Sequence, residues 1–251
     1  MSLRRATWVL LALAACGSSA APTDGGAVAA PDGGAAKPPA PPSLRQFESG
    51  AEAMSDAPRG ILPAHVPNWE MAQAAYLTNA QLWPEVKTAV LAVGASATTI
   101  GSIEAALAAY AKDVAEKRQR EAESDANIIT GAVPDLFDRF TYSAPTDSLR
   151  LDGTFRQLQI EAEYSDWAKA AKALDDTKLV WQRMKPLVQG QAPSRPDLMG
   201  SVTVVADTDA AIDRAQALIA KAEHAPEDAA SLSVEAQKGL DLVDVCEQIF
   251  K

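Results

Sequence analysis

The chain has 251 residues, of which 47% are hydrophobic and 22% are charged, and its formal net charge at neutral pH is −10. This length and apolar content suffice for one hydrophobic core or two small ones. The acidic balance argues against a nucleic-acid partner and against direct adhesion to anionic lipid head groups, since both need clustered Lys and Arg.

The N-terminus has the pattern of a secretory signal. Two arginines precede an apolar run over residues 6–15, which is too short to cross a bilayer as a helix, since that takes about 20 apolar residues. The run ends in the sequence LAAC, whose last residue is Cys16, and Gly17 follows. This tetrapeptide resembles the lipobox of bacterial lipoproteins, in which the cysteine is acylated and becomes the mature N-terminus.

The resemblance implies a signal peptide over residues 1–15 and lipidation of Cys16. Two or more acyl chains anchor a protein stably, whereas one chain holds only marginally. Glycine rather than aspartate after the cysteine resembles the outer-membrane sorting pattern of bacteria with two membranes. We therefore expect attachment to the cell envelope through N-terminal acyl chains, on the periplasmic face of the outer membrane if the source has one. The alternative is an ordinary signal peptide with an incidental cysteine.

Residues 16–42 are predicted to form a disordered linker. From Gly17 onward Gly, Ala and Pro dominate, three residues are charged and no aromatic residue occurs. Such a segment cannot bury enough apolar surface to offset the entropy lost on ordering. As a flexible coil it would span roughly 25–30 Å. We expect it to act as a spacer between membrane and fold.

From residue 43 onward apolar residues recur at helical spacing, and no alternating strand pattern appears. One stripe lies in residues 100–114, and a second lies in residues 151–162 after Asp147, a predicted N-cap. A third stripe lies in residues 232–250. The charged run between these stripes, residues 116–123, is predicted to be an exposed helix end. The sequence therefore predicts an all-α fold.

An internal repeat is the most informative signal in the helical region. Trp69 and Trp83 recur as Trp167 and Trp181, each 98 positions further on. The same offset relates five more pairs: Asn68 and Asp166 (both predicted N-caps), Ala72 and Ala170, Ala75 and Ala173, Lys87 and Lys185, and Val90 and Val188. The tryptophans stand at heptad spacing, which favours core packing between helices of a bundle. An aromatic box for an apolar or cationic ligand is the alternative.

Downstream the two copies rejoin at another offset, with Glu104 matching Asp213. We therefore predict two related units of three or four helices, residues 43–145 and 146–251, in tandem or fused as one bundle. Pro84 directly follows Trp83 and is predicted to kink or split the first long helix.

Candidate metal and cofactor ligands are few. Of the two histidines, His65 lies in an extended stretch and His224 at a predicted helix C-terminus, where the helix dipole favours a cation. No pair of His, Cys or Glu stands at the spacing of zinc, haem or di-iron sites, so we predict no metal and no cofactor. Asp209 and Asp213 share one helix face, which is either a solvated acidic face or a cation site.

The chain carries no recognisable catalytic motif. A nucleophile elbow, a Ser-x-x-Lys pair, a P-loop and a dinucleotide-binding glycine motif are all missing from the sequence. Cys246, the second of two cysteines, lies on an apolar stripe and is predicted to be a buried small hydrophobe without a disulfide partner.

The sequence thus predicts a non-enzymatic, membrane-anchored envelope lipoprotein whose helical region binds a protein partner or a ligand. The alternative is an accessory protein for metal or haem uptake. Exported helical proteins of the imelysin kind are similar in having duplicated bundles, although their Gly-x-His-x-x-Glu motif is absent from this chain.

Overall fold

A computed structural model describes residues 36–60 and 66–251, and this part of the chain is all-α. Eight α-helices follow one another: α1 Pro42–Arg59, α2 Trp69–Ala92, α3 Ala97–Glu116, α4 Gln119–Phe137, α5 Asp147–Glu163, α6 Trp167–Gln191, α7 Val204–Ile219 and α8 Pro226–Ile249. An isolated β-bridge joins Pro39 and Thr141. The predicted fold class is confirmed.

The eight helices pack as two rings of four. Helix α1 packs on α2, α2 on α3, α3 on α4 and α4 back on α1, and helices α5 to α8 repeat this order. Each ring encloses its own core, with Phe47, Tyr110 and Phe137 in the first and Phe155 and Met184 in the second. Helices α4 and α5 hold the rings together, so residues 37–251 form one compact unit.

Helices α2 and α6 both begin at a tryptophan, and in each case the residue directly before the tryptophan caps the helix. The Asn68 side chain accepts a hydrogen bond from the Met71 amide at 3.0 Å, and that of Asp166 accepts one from the Lys169 amide at 3.3 Å. Each cap satisfies an amide that has no partner within the helix.

The two tryptophans in the middle of these helices are core residues. Trp83 is 7% exposed and Trp181 is 4% exposed. The Trp83 ring lies 5.1 Å from that of Phe47, measured between centroids. The heptad spacing therefore marks core-facing positions, as predicted.

Of the two effects predicted for Pro84, the split does not occur, since helix α2 runs uninterrupted through this residue. The core contacts of Trp83 before it and Val86 after it hold both halves in one helix. Asp147 is the first residue of α5, not its N-cap. Its carboxylate instead accepts from Arg183 at 2.8 and 2.9 Å.

The charged run of residues 116–123 is a helix junction rather than an exposed helix end. Helix α3 ends at Glu116, Lys117 takes a left-handed conformation with φ 55°, and α4 begins at Gln119. Glu123, in the first turns of α4, is buried. Polar residues of this run therefore enter the contact between the rings.

One end of the molecule receives the N-terminal segment, and we call it the entry end. The Thr141 amide donates to the Pro38 carbonyl at 2.7 Å, which fixes residues 37–41, previously assigned to the linker, beside the α4–α5 connection. Ser148 donates to Glu247 near the end of α8 at 3.1 Å. The α6–α7 connection joins this end through Arg195, which donates to the Gln248 carbonyl at 2.7 Å.

Candidate functional site

A groove with a volume of about 800 Å³ opens where α4, α5 and α8 meet, at the end of the fold opposite the entry end. This volume lies within the roughly 300–1,000 Å³ typical of small-molecule sites. We call it the junction groove because the first ring contributes α4 to it and the second contributes α5 and α8. Its apolar wall comes from α8 and consists of Pro226, Ala229, Ala230 and Val234.

Two glutamines set the polar side of the junction groove. Gln237 donates to the Asp241 carboxylate at 2.9 Å, which turns its own amide oxygen toward Gln159. Gln159 is fully buried and donates its Nε2 to that oxygen at 3.1 Å. Because an ionised carboxylate only accepts hydrogen bonds, the chain of bonds fixes both amide orientations. The Oε1 of Gln159 is left without a partner among the described residues.

Tyr164, just after α5, has a buried hydroxyl that hydrogen-bonds with the Glu123 carboxylate and so lowers the pKa of that group. Arg120 lies 5.0 Å from the Tyr164 ring centroid and is itself held by Glu161 and Asp166, each at 2.8 Å. The unpaired acceptor at the groove is therefore Gln159 Oε1, which the lining residues enclose.

An ion pair between the two rings borders the junction groove. Glu163 Oε1 accepts from Arg59 of α1, at 3.0 Å from Nε and 2.6 Å from Nη2, and from Ser233 of α8 at 3.1 Å. Both charged side chains are largely buried. Burial in this region also raises the pKa of Glu123 to about 7.

A second, acidic cleft lies between α1, α5 and α8, with a volume of about 420 Å³. Arg156 is its main cation and donates to Asp152 and Asp56, both at 2.7 Å. Burial raises the pKa of Glu48 and of Glu52, and the nearby charges of Glu247 and Asp152 raise them further.

Of the two aspartates considered as a cation site, Asp209 is already engaged by two donors. Asp209 accepts from the Trp181 indole at 2.8 Å and from Lys185 at 2.6 Å, so its charge is already used inside the second ring. Across the described ranges no three His, Cys, Asp or Glu side chains are arranged to hold a metal ion.

The other candidate residues are accounted for individually. Cys16 and His65 lie outside the described residues. The His224 ring stacks on Trp167 with centroids 3.7 Å apart, and its Nε2 is 3.3 Å from the Ile219 carbonyl at the end of α7. Cys246 is a buried free thiol whose pKa burial raises to about 12, which makes it a poor nucleophile at neutral pH.

Sequence reasoning missed the polar face of α5 that builds both clefts. Asp152, Arg156, Gln159 and Glu163 recur every three or four residues, which is a helical stripe in its own right. Such a stripe normally indicates a solvated face. Here α5 contacts α4, α6 and α8, so its polar stripe is buried against the first ring.

Comparison with protein-family models, curated proteins and solved structures finds no match to this chain. Among its described helices, none combines the length and the hydropathy needed to span a bilayer. The site is therefore interpreted from its own geometry.

Proposed function

We propose that the chain is a non-enzymatic, lipid-anchored envelope protein that binds a small, mainly uncharged ligand in the junction groove. The observation that carries the proposal is a groove of about 800 Å³ whose lining encloses the unpaired Oε1 of Gln159. A buried polar atom without a partner costs free energy, and a ligand donor that displaces the lining over this atom would recover it.

The lining indicates the ligand's chemistry. The wall formed by Ala229, Ala230 and Val234 favours an apolar body. The Gln159 acceptor calls for one N–H or O–H donor on the ligand. Glu163 is already neutralised by Arg59, so it does not demand a ligand cation. An amide or alcohol with a hydrocarbon body fits this set.

The anchor is proposed from the sequence around Cys16 alone. Cys16→Ala should leave the precursor unprocessed or release the protein from membranes. Mass spectrometry of the N-terminal peptide and membrane fractionation measure this. A processed C16A chain that still fractionates with membranes would rule the anchor out.

The groove is tested by filling it. Ala230 is exposed and lines the groove, so Ala230→Trp should block ligand entry without disturbing either core; Ala168→Trp, at an exposed site on α6, is the matched control. In saturation-transfer NMR with neutral amide and alcohol fragments, binding should persist in wild type and A168W and disappear in A230W. Equal binding by all three proteins, or no binding by wild type, would contradict the proposal. Metal analysis of the same preparation tests the metal-uptake alternative.

A further inference from the structure

The connection between α6 and α7 exposes two apolar side chains at the entry end. Met199 is 90% exposed and Val202 is 82% exposed, which makes them the most exposed large hydrophobic side chains of the described residues. Exposing large apolar side chains to water is unfavourable. A tip that presents two of them therefore indicates a contact with an apolar phase.

This tip is held in place rather than loose. Leu198 packs against the core of the second ring, and the buried Ser201 donates to the Arg195 carbonyl at 2.7 Å. Arg195 in turn donates to the Gln248 carbonyl at the end of α8. The fold therefore presents Met199 and Val202 outward from a braced connection.

The tip lies at the end of the molecule where the chain enters the fold. Residues 37 and 38 bond to Thr141, and the α4–α5 connection, the end of α8 and the α6–α7 connection meet at that end. The segment from Gly17 to Ala36 would span roughly 25 Å as a flexible coil. A lipid group on Cys16 would keep this end, rather than the junction groove, closest to the membrane.

The entry end carries exposed charges of both signs, with Asp135 and Asp197 among the acidic ones. Lys37 and Arg139 are exposed there and have no carboxylate within salt-bridge distance in the described ranges. The carboxylate of Asp147 nearby is already paired with Arg150 and Arg183. Basic groups close to a lipid surface are attracted by anionic head groups, so Lys37 and Arg139 would favour the contact locally.

We propose that the entry end rests on the lipid surface, with Met199 and Val202 inserted at the boundary between head groups and acyl chains. The inference rests on the proposed lipid anchor, because two apolar side chains alone give a weak attachment and act here on a protein already tethered.

The test places a polarity-sensitive fluorophore on Met199→Cys, with Val66→Cys as the matched control. Val66 is 66% exposed and lies in the α1–α2 connection, at the other end of the fold. The native Cys246 is buried and takes up little label. Residues 1–16, which lie outside the compact unit, are replaced by a hexahistidine tag captured on vesicles that carry a nickel-chelating lipid. Capture then does not depend on acylation of Cys16.

On captured vesicles containing phosphatidylglycerol, we expect emission from M199C to shift to shorter wavelength and to be quenched by spin-labelled lipid. Emission from V66C should match that of the protein in buffer. If both labels stay in a water-like environment, with or without phosphatidylglycerol, the lipid contact is refuted whatever the state of Cys16. A response of M199C that requires added envelope protein would also overturn it and would assign the tip to a protein partner.

Discussion

Trp181 of α6 donates its indole N–H to the Asp209 carboxylate of α7 over 2.8 Å. The ammonium of Lys185, one turn further along α6, reaches the other oxygen of the same carboxylate at 2.6 Å. The three groups join two neighbouring helices of the second ring by charge-assisted hydrogen bonds, which are stronger than neutral ones.

The first ring contains the same arrangement on α2 and α3. Trp83 donates to Glu104 at 3.2 Å, and Lys87 donates to the same oxygen at 2.6 Å. The two bonds lower the pKa of Glu104. The duplication predicted from the sequence would account for this shared contact. By these contacts Glu104 corresponds to Asp209. The sequence pattern matched Glu104 to Asp213, which lies one helical turn further along α7.

Removing either tryptophan should destabilise the protein to a similar extent. Trp83→Ala and Trp181→Ala each delete a large core side chain and should lower the free energy of unfolding by about 3–5 kcal/mol. Urea titration followed by circular dichroism measures this. Trp181→Phe keeps most of the apolar volume but loses the donor to Asp209, so its loss should be smaller. Unchanged unfolding with loss of ligand binding in both alanine variants would favour the aromatic-box interpretation.

Stability should fall as the pH rises through the neutral range. Burial raises the pKa of Glu48 to about 7 and that of Glu52 to about 8, from an ordinary value of 4.5. Between pH 4.5 and about pH 8 the folded protein therefore holds more protons than the unfolded chain, and its stability decreases as the pH rises through this interval. The stabilisation contributed by these two carboxyl groups is complete below pH 4.5 and is lost as the pH passes about 8.

Glu52→Gln tests the source of this pH dependence. A neutral amide cannot ionise, so the decrease between pH 5 and pH 8 should become shallower in denaturation curves taken across that range (roughly the interval between the unfolded and folded pKa values). Exposed Glu85→Gln is the control and should keep the wild-type slope. A slope that is the same in all three proteins would assign the pH dependence to other groups.

The helical fold follows from the sequence because apolar spacing and N-caps act locally. The stripe through Ile100 and Tyr110 and the caps Asn68 and Asp166 each depend on residues within a few turns. That Pro84 does not split its helix could not be predicted for the opposite reason. A proline removes a hydrogen bond within its own helix, whereas the contacts that keep α2 intact come from other helices.

The junction groove depends on contacts that no local pattern encodes. Arg59 and Glu163 are 104 residues apart, and the sequence around either residue does not indicate that the two form a pair. The polar stripe on α5 was visible, but polarity alone does not distinguish a face turned to water from one buried against a second ring. The unpaired oxygen of Gln159 becomes evident only once Gln237 and Asp241 are placed beside it.

Two glycine substitutions should have opposite effects. A Cβ at Gly239 of α8 would overlap the ring of Phe155, a buried residue of α5, so Gly239→Ala should cost about 1–3 kcal/mol through overpacking. Gly101 of α3 is exposed with open space around it, and Gly101→Ala should stabilise by about 0.5–1 kcal/mol. Thermal unfolding of both variants checks the sign, and a stabilised G239A would mean that α5 and α8 are further apart than described.

The ion pair between Arg59 and Glu163 should couple the two rings. Arg59→Met leaves a largely buried carboxylate without its cation and should cost about 3–5 kcal/mol, whereas an exposed pair such as Lys172 with Asp176 should contribute only about 0–1 kcal/mol. A double variant with Arg59→Met and Glu163→Met removes both charges and should recover much of the loss. A double-mutant cycle in urea measures the coupling.

The same variants separate stability from ligand binding. Glu163 borders the junction groove, so Arg59→Met exposes the groove to an uncompensated negative charge and should weaken the binding of neutral amides. The double variant should bind them again, because the groove is once more uncharged at that point. Lys172→Met is the control for both readouts, since Lys172 pairs with Asp176 on the surface of α6. If R59M unfolds no more easily than K172M, the rings are not coupled through this pair, and the contact between α4 and α5 must hold them together.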